Sequence, residues 1–174
     1  MVLASLRKDP KLAAAGAILV VAAATIGGAF VFEALGYAPC DLCLKERIPY
    51  YAAIPVAALA LALAAAGWRR LLAIALLALA LIFLASAVFG AYHAGVEWGF
   101  WPGPADCTGT YRKSGSTDEF LQRLQTIKVV RCDAVAIRIL GLSLAGWNAV
   151  VSALLAAVAV MGLRMSRRRR KIPA

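Results

Sequence analysis

Four long apolar stretches constrain this chain more than any other feature of its sequence. They run over about residues 12–35, 48–66, 71–92 and 139–163. Each supplies the roughly 20 apolar residues that an α-helix needs to cross about 30 Å of hydrocarbon. Of the 174 residues, 63% are hydrophobic and 16% are charged, whereas soluble domains are about half apolar and a quarter charged. We therefore predict an integral membrane protein.

The connections between these stretches predict the architecture. Only residues 67–70 separate the second stretch from the third, so these two stretches form a tight helical hairpin. Backbone groups in lipid must be hydrogen-bonded internally, which leaves helices as the spanning structure here. We predict an all-α fold, a four-helix bundle forming a single membrane domain over residues 1–174. Its outer loops are expected at about residues 36–47 and 93–138.

Local signals refine the first two stretches. The first is too long for the core of a cleaved signal peptide, and no convincing small-x-small site follows it, so we expect a true spanning helix. Pro49 is expected in the first turn of the second helix, where its missing N–H costs nothing. Pro55 lies deeper, and we expect it to kink that helix.

The basic residues are divided unequally between the two predicted sides of the membrane. One side has eleven basic residues against one acid, and the other has eight against seven. The basic residues of the first side are Arg7, Lys8, Lys11, Arg69, Arg70, Arg164, Arg167, Arg168, Arg169, Arg170 and Lys171. Because basic residues accumulate on the cytoplasmic side, we predict that both termini are cytoplasmic and that the cysteines lie on the outer side of the membrane. This orientation explains the formal charge of +10, so no nucleic-acid partner is expected.

All four cysteines lie on the predicted outer side, which in a bacterium is an oxidising compartment. Four cysteines allow three pairings, and the local pairing of Cys40 with Cys43 leaves Cys107 to pair with Cys132. A bridge over two residues closes almost no loop and stabilises little, so Cys40–Cys43 makes more sense as a reactive disulfide. A purely structural role is a serious alternative for Cys107–Cys132.

Zinc and c-type haem are two alternative roles for these cysteines. A four-cysteine zinc site normally uses two close Cys-x-x-Cys knuckles, and here the second pair is too widely spaced. A c-type haem needs a histidine directly after the motif, where this chain has Leu44. We therefore expect no resident metal.

Charged residues surround the Cys-x-x-Cys motif. Lys45 and Arg47, together with a helix start, favour a reactive thiolate at Cys43, while Asp41 opposes it by like-charge repulsion. A cation at the start of a spanning helix must find an anion, a polar ligand or lipid headgroups. Beside a dithiol, Arg47 could instead stabilise an oxyanion on a membrane-dissolved oxidant. Glu33 is assigned to the membrane interface and not to the site.

The long outer segment carries one further helix signal. Residues 116–119 read Ser-Thr-Asp-Glu, which is a capping box. The apolar residues that then fall on one face are Phe120, Leu121, Leu124 and Ile127. This pattern predicts a short amphipathic helix, either on the membrane surface or packed on its own loop.

The position of the two cysteine pairs suggests a function. A quinone cannot leave the bilayer, and a soluble thiol protein cannot enter it. A Cys-x-x-Cys at the outer end of a spanning helix can reach a quinone in the bilayer. A disulfide in an outer loop can reach a soluble thiol protein. A dithiol that passes electrons from a protein to a quinone belongs at such a surface.

The motifs resemble one known family. The chain has four predicted spans, with Pro-Cys-Asp-Leu-Cys-Leu-x-x-Arg before the second span. A separated cysteine pair comes later, and the sequence YHAGVEWGFWPGPADC follows the third span. Nearly the whole chain is similar to the bacterial disulfide bond formation protein B family, DsbB. The resemblance implies a thiol:quinone oxidoreductase that reoxidises a periplasmic thioredoxin-like dithiol oxidase of the DsbA type. Its electrons would pass to the membrane quinone pool, as ubiquinone or menaquinone.

The resemblance also implies roles for the cysteines. A thiolate of the partner would attack Cys107 of the Cys107–Cys132 disulfide. Cys132 would then attack Cys40, and Cys43 would be released as a thiolate that adds to the quinone or transfers charge to it.

Two further residues follow from the same resemblance. Arg47 would polarise the quinone, and His93 corresponds to a histidine near the family's quinone site. A vitamin K epoxide reductase-like enzyme is an alternative, but its active Cys-x-x-Cys follows the loop pair, and here the order is reversed. A non-catalytic membrane protein with structural disulfides is the other alternative, and it predicts that Cys40–Cys43 is dispensable.

Overall fold

The fold is described by a computed structural model over residues 9–104, 107, 116 and 130–169. In chain order its elements are α1 (Pro10–Ala34), α2 (Asp41–Ala65), α3 (Arg69–Glu97), β1 (Arg138–Ile139), β2 (Leu142–Ser143) and α4 (Leu144–Arg169). All four helices contain windows long and apolar enough to cross a membrane, with mean hydropathies from 1.8 to 2.9. The predicted all-α membrane fold is confirmed, and the chain is a multi-pass membrane protein.

The helices pack in a ring in which α1, α2, α3 and α4 each contact their neighbours, and α4 returns to α1. Small residues let the helices approach closely, as is usual inside membranes. A Cβ added to Gly162 of α4 would lie 2.7 Å from the Cβ of Ala14 in α1. A Cβ added to Gly90 of α3 would lie 2.9 Å from the backbone nitrogen of Ala149 in α4. These glycines therefore set the spacing between helices.

The start of α2 differs from the sequence prediction. The helix begins at Asp41, about two turns earlier than expected, and Cys40 is its N-cap residue. Pro49 consequently lies inside the helix, so its predicted place in the first turn was wrong. The segment before Pro49 is polar enough to look like a loop, yet Leu42, Glu46 and Tyr50 repeat every four residues and are all buried. That repeat places them on one face of a helix.

The outer ends of α3 and α4 also differ from prediction. α3 continues to Glu97, which brings His93 into the helix rather than the following loop. α4 begins only at Leu144, after an antiparallel hairpin formed by β1 and β2. The two turn residues, Leu140 and Gly141, both have positive φ, as a two-residue hairpin of the primed type requires. The hairpin was not predicted.

The predicted amphipathic helix in the long outer segment lies outside the described residues. Within the described part of that segment, Cys107 and Cys132 are present.

The close approach of α3 to α4 can be tested by adding one methyl group through a glycine-to-alanine substitution. Gly90→Ala would put its Cβ 2.9 Å from Ala149 N and 3.2 Å from the Ala145 carbonyl oxygen, and backbone atoms cannot move aside cheaply. We expect a loss of about 1–3 kcal/mol in unfolding free energy, the usual effect of overpacking, measured by denaturation in mixed micelles. Gly27→Ala is the control, because nothing lies within 4 Å of its added Cβ. Equal stability of the two variants would contradict the packing described.

Candidate active site

Two disulfides meet at one end of the helix bundle. Cys40 pairs with Cys43, with their Cα atoms 5.0 Å apart, and Cys107 pairs with Cys132, with their Cα atoms 5.4 Å apart. This is the pairing that the sequence predicted. Cys40, Cys107 and Cys132 are all buried and form one apolar cluster with Leu42. The two disulfides are therefore packed together.

The first disulfide lies at the N-terminus of α2. The sulfur of Cys40 accepts a hydrogen bond from the backbone N–H of Cys43 at 3.1 Å. The positive end of the helix dipole stabilises negative charge at this position, which favours a thiolate when the bridge opens. Lys45 and Asp41, whose opposing effects the sequence left open, form an ion pair with each other at 2.6 Å.

His93 connects this disulfide to a buried carboxylate. Its Nε2 lies 3.7 Å from the sulfur of Cys40, and its Nδ1 lies 2.8 Å from Oε1 of Glu46. His93 is 1% exposed and Glu46 is 8% exposed. An ionised carboxylate can only accept a hydrogen bond, so the neutral tautomer that satisfies such a partner carries its proton on Nδ1 and leaves the lone pair of Nε2 facing Cys40. The pair presents a base to the sulfur.

Sequence reasoning missed Glu46. The second helix was expected to begin at Ile48, so Glu46 was expected in an outer loop, where its side chain would be exposed to solvent. Two signals could have found it. It is one helical repeat from Leu42 and from Tyr50, and a carboxylate within a spanning helix usually has a function.

Arg47 forms an ion pair with Glu33, which was expected only to face the membrane interface. Its guanidinium is 2.9 Å from Oε2 of Glu33, and its Cζ lies 5.3 Å from the ring centroid of Phe30. Both partners belong to α1. Glu33 is therefore the counter-ion of Arg47 rather than a residue that only faces the interface, and the ion pair joins α1 to the first turns of α2.

A cavity of about 330 Å³ opens between the helices beside this disulfide. Its lining includes Cys40, Cys43, Cys132, Arg47 and His93. Cys107 packs behind Cys132. The rest of the lining is mostly apolar, and the volume is within the usual range for small-molecule sites. The structure thus brings five of the six predicted site residues to one cavity, with the sixth joined to it by a disulfide.

A polar network crosses the bundle at the inner end of this cavity. The hydroxyl of Tyr50 donates to Oδ1 of Asn148 at 2.7 Å and lies 3.0 Å from the hydroxyl of Ser152. The Ser152 hydroxyl donates to Ser86 at 2.9 Å. These residues belong to α2, α3 and α4, so the network ties three helices together in a place where water is scarce.

Comparison with known proteins identifies the family. Residues 11–162 match the family described as Disulfide bond formation protein DsbB. The chain belongs to the DsbB family. This confirms the resemblance seen in the sequence motifs.

One relative extends this comparison. The chain is 30% identical over 118 residues to the Uncharacterized protein RP370 of Rickettsia prowazekii (strain Madrid E). That match covers 67% of this chain and 66% of the relative, so the chain spans about two thirds of that protein's length. No solved structure matches the chain significantly.

The polar network gives a second stability prediction. Tyr50→Phe removes the donor to Asn148 without changing the ring, so we expect unfolding free energy to fall by about 0.6–1.7 kcal/mol, from the average to the largest value for interhelical hydrogen bonds in a membrane protein. Tyr51→Phe is the matched control, because Tyr51 is 47% exposed on the outside of the bundle. Denaturation in mixed micelles measures both. A larger loss for Tyr51→Phe would show that the Tyr50 hydroxyl is not structural.

Proposed function

We propose that this protein is a membrane protein-dithiol:quinone oxidoreductase. It reoxidises a periplasmic thioredoxin-fold dithiol oxidase of the DsbA type and passes two electrons to ubiquinone or menaquinone. The observation that carries the proposal is the packing of two disulfides in one cluster, one of which borders an apolar cavity between spanning helices. Membership in the DsbB family supports the same activity.

The proposed electron path starts at the second disulfide. A partner thiolate attacks Cys107, the Cys107–Cys132 bond breaks, and Cys132 leaves as a thiolate. The partner's second thiol then displaces Cys107, so the partner departs with its own disulfide. Cys107 is only 5% exposed, so we expect partner docking to open this end of the molecule.

The path continues to the first disulfide. The Cys132 thiolate attacks Cys40, the Cys40–Cys43 bond breaks, and Cys43 leaves as a thiolate at the N-terminus of α2. Cys107 then attacks Cys132, which re-forms the Cys107–Cys132 disulfide and releases Cys40 as a thiolate. Oxidation of the Cys40–Cys43 pair back to its disulfide would supply a bound quinone with two electrons and two protons. The overall exchange converts one protein dithiol and one quinone into one protein disulfide and one quinol.

The cavity suits a flat, largely apolar molecule with oxygen atoms at its edge. Its walls are mainly apolar, and Arg47 brings a positive charge to the same space as Cys43. A preorganised cation strongly stabilises negative charge that develops on an oxygen where water is excluded. Glu33 neutralises this cation at rest and holds it in place. We assign Arg47 to the quinone oxygen and Glu33 to positioning Arg47.

The His93–Glu46 pair accepts a proton from the first cysteine pair after its disulfide has opened. Nε2 of His93 is the basic atom next to Cys40, and Glu46 holds the ring in that orientation. A thiol formed at Cys40 can give its proton to His93, and the Glu46 carboxylate stabilises the resulting imidazolium. This keeps Cys40 able to attack again as a thiolate, which is the reactive form.

The orientation of the chain completes the proposal. The cysteine end of the bundle faces the periplasm, and both termini face the cytoplasm, in a bacterial inner membrane. In support, Arg69 and Arg70 are the first two residues of α3, at the end of that helix away from the cysteines, which fits the enrichment of basic residues on the cytoplasmic side.

The activity is tested by following quinone absorbance in detergent. Purified protein is mixed with a reduced DsbA-type dithiol oxidase and a soluble quinone analogue. We expect wild type and Tyr51→Phe to reduce the quinone, and Cys43→Ser and Cys107→Ser each to lose this activity, because each interrupts the path. No reduction by wild type with either class of quinone would favour a membrane protein with structural disulfides.

The role of Arg47 is tested against a neighbouring cation. We expect Arg47→Ala to lower kcat/KM for the quinone analogue about tenfold or more, because a charged hydrogen bond contributes about 1.5–3 kcal/mol. Lys45→Ala removes an equal charge whose ion pair with Asp41 is half exposed, and we expect less than a twofold change. Steady-state kinetics with varied quinone measures both. Equal losses would mean that general charge, and not Arg47 in the cavity, controls quinone use.

A further inference from the structure

Three potential metal ligands converge at the first disulfide. Within the described residues, the sulfurs of Cys40 and Cys43 and a ring nitrogen of His93 all lie within 4.8 Å of one another. The separation of 3.7 Å between Cys40 Sγ and His93 Nε2 is close to the edge of a tetrahedral zinc site. Zinc bonds of about 2.3 Å to sulfur and about 2.0–2.1 Å to nitrogen put such atoms roughly 3.5 Å apart.

We propose that opening the Cys40–Cys43 disulfide creates a zinc site, made of the two thiolates and Nε2 of His93, which holds the reduced enzyme inactive. This inference rests on the proposed function for its inhibitory effect, but not for metal binding itself. Two thiolates and one imidazole with an open fourth position is a known zinc ligand set. The cavity beside these residues leaves room for that fourth position.

The site exists only in the reduced protein. In the disulfide the two sulfurs are bonded to each other, and thiolate is the form that binds metal. A dithiol donor reduces the bridge with two electrons and is itself oxidised to a disulfide. Zinc then binds the two thiols of the protein and two protons are released, so charge and atoms balance.

Glu46 orients His93 for metal binding in the metal-free protein. A histidine that binds zinc almost always donates its other ring N–H to a carboxylate or carbonyl, which fixes the tautomer and raises ligand basicity. His93 has this arrangement in the oxidised protein, with Nδ1 2.8 Å from Glu46. In the tautomer with its proton on Nδ1, the lone pair of Nε2 already faces the sulfurs.

The charges near the site are compatible with a bound dication. Two thiolates neutralise Zn²⁺, and Glu46 lies behind the imidazole. Arg47 is the cation in the cavity lining closest along the chain to Cys43, and its charge is met by Glu33 at 2.9 Å. Glu97 also lines the cavity.

Zinc would stop the reaction at the reduced stage. A thiolate held by zinc is not free to give electrons to an acceptor, and Cys40 and Cys43 cannot close their bridge while both are ligands. The oxidised enzyme has no such site, so inhibition depends on turnover. A soft or borderline cation would thus slow disulfide formation while thiol donors are being oxidised.

Zinc binding is tested first without partner or quinone. The Cys107→Ser/Cys132→Ser variant retains one cysteine pair. It is reduced anaerobically, freed of reductant and titrated with Zn²⁺ against a chromophoric chelator. We expect one zinc per reduced protein and none in the oxidised form. Co²⁺ in place of zinc should give a thiolate charge-transfer band with tetrahedral d–d bands.

Two substitutions separate this site from an ordinary dithiol. In the same background we expect His93→Ala to weaken zinc binding at least tenfold, and Glu46→Gln to weaken it about 10–100-fold, the usual effect of losing such a partner. Thermal unfolding midpoints and circular dichroism of each variant show whether it is folded. Glu46→Gln preserves side-chain volume and serves where His93→Ala fails to fold. Unchanged affinity in a folded variant, or no binding to the reduced background, would overturn the site.

Inhibition is tested separately. Zinc added well above its measured dissociation constant should slow quinone reduction by wild type, and a chelator should restore it. Zinc that binds the reduced protein without slowing turnover would overturn the inhibitory role. Failure of quinone reduction in metal-free protein would count against the proposed function and would leave the zinc titration as it stands.

Discussion

The contact of His93 with both Cys40 and Glu46 is the interaction on which the rest of the site depends. A histidine and a carboxylate buried in a spanning region are costly unless each has a partner. Here each satisfies the other, and the remaining ring nitrogen is directed at a disulfide. The contact exists only because α2 begins at Asp41, which turns Glu46 towards α3. The start of one helix therefore decides what chemistry the cysteine end can perform.

The surrounding bundle is built to hold that end in a fixed geometry. Close approach at Gly90 and Gly162 sets the spacing of α4 against α3 and α1. The hydroxyl and amide network around Tyr50 then ties α2 to α3 and α4 beneath the cavity. The Arg47–Glu33 ion pair does the same for α1. Among the polar side chains that join the helices, Tyr50 and Arg47 also line the cavity. The outer faces of the helices contact lipid.

The sequence predicts those features that have a local or compositional signal. The four spans follow from their length, and the disulfide pairing follows from the closeness of Cys40 to Cys43. Arg47 was suggested by its charge beside the Cys-x-x-Cys motif, and His93 was suggested by the resemblance to the family. The α2 start was missed because the residues before Pro49 are polar, and because a buried face of only two turns gives a weak periodic pattern.

Contacts between distant parts of the chain could not be predicted in this way. His93 and Glu46 are on different helices, as are Arg47 and Glu33, and no local pattern couples them. The hairpin before α4 is equally hard to foresee, because Leu140 adopts a positive φ that leucine rarely takes. Its geometry is imposed by the pairing of β1 with β2 and by Trp147, whose indole N–H donates to the Ile139 carbonyl at 2.8 Å.

The central claim is that the two disulfides act in series, and the most direct measurement is to map the bridges during reduction. The protein is mixed anaerobically with a limiting amount of a reduced DsbA-type protein and no quinone, then acid-quenched, alkylated and analysed by peptide mass spectrometry. The account predicts a transient bridge between Cys40 and Cys132 with Cys43 alkylated. Reduction confined to Cys107–Cys132, with Cys40–Cys43 intact throughout, would contradict it.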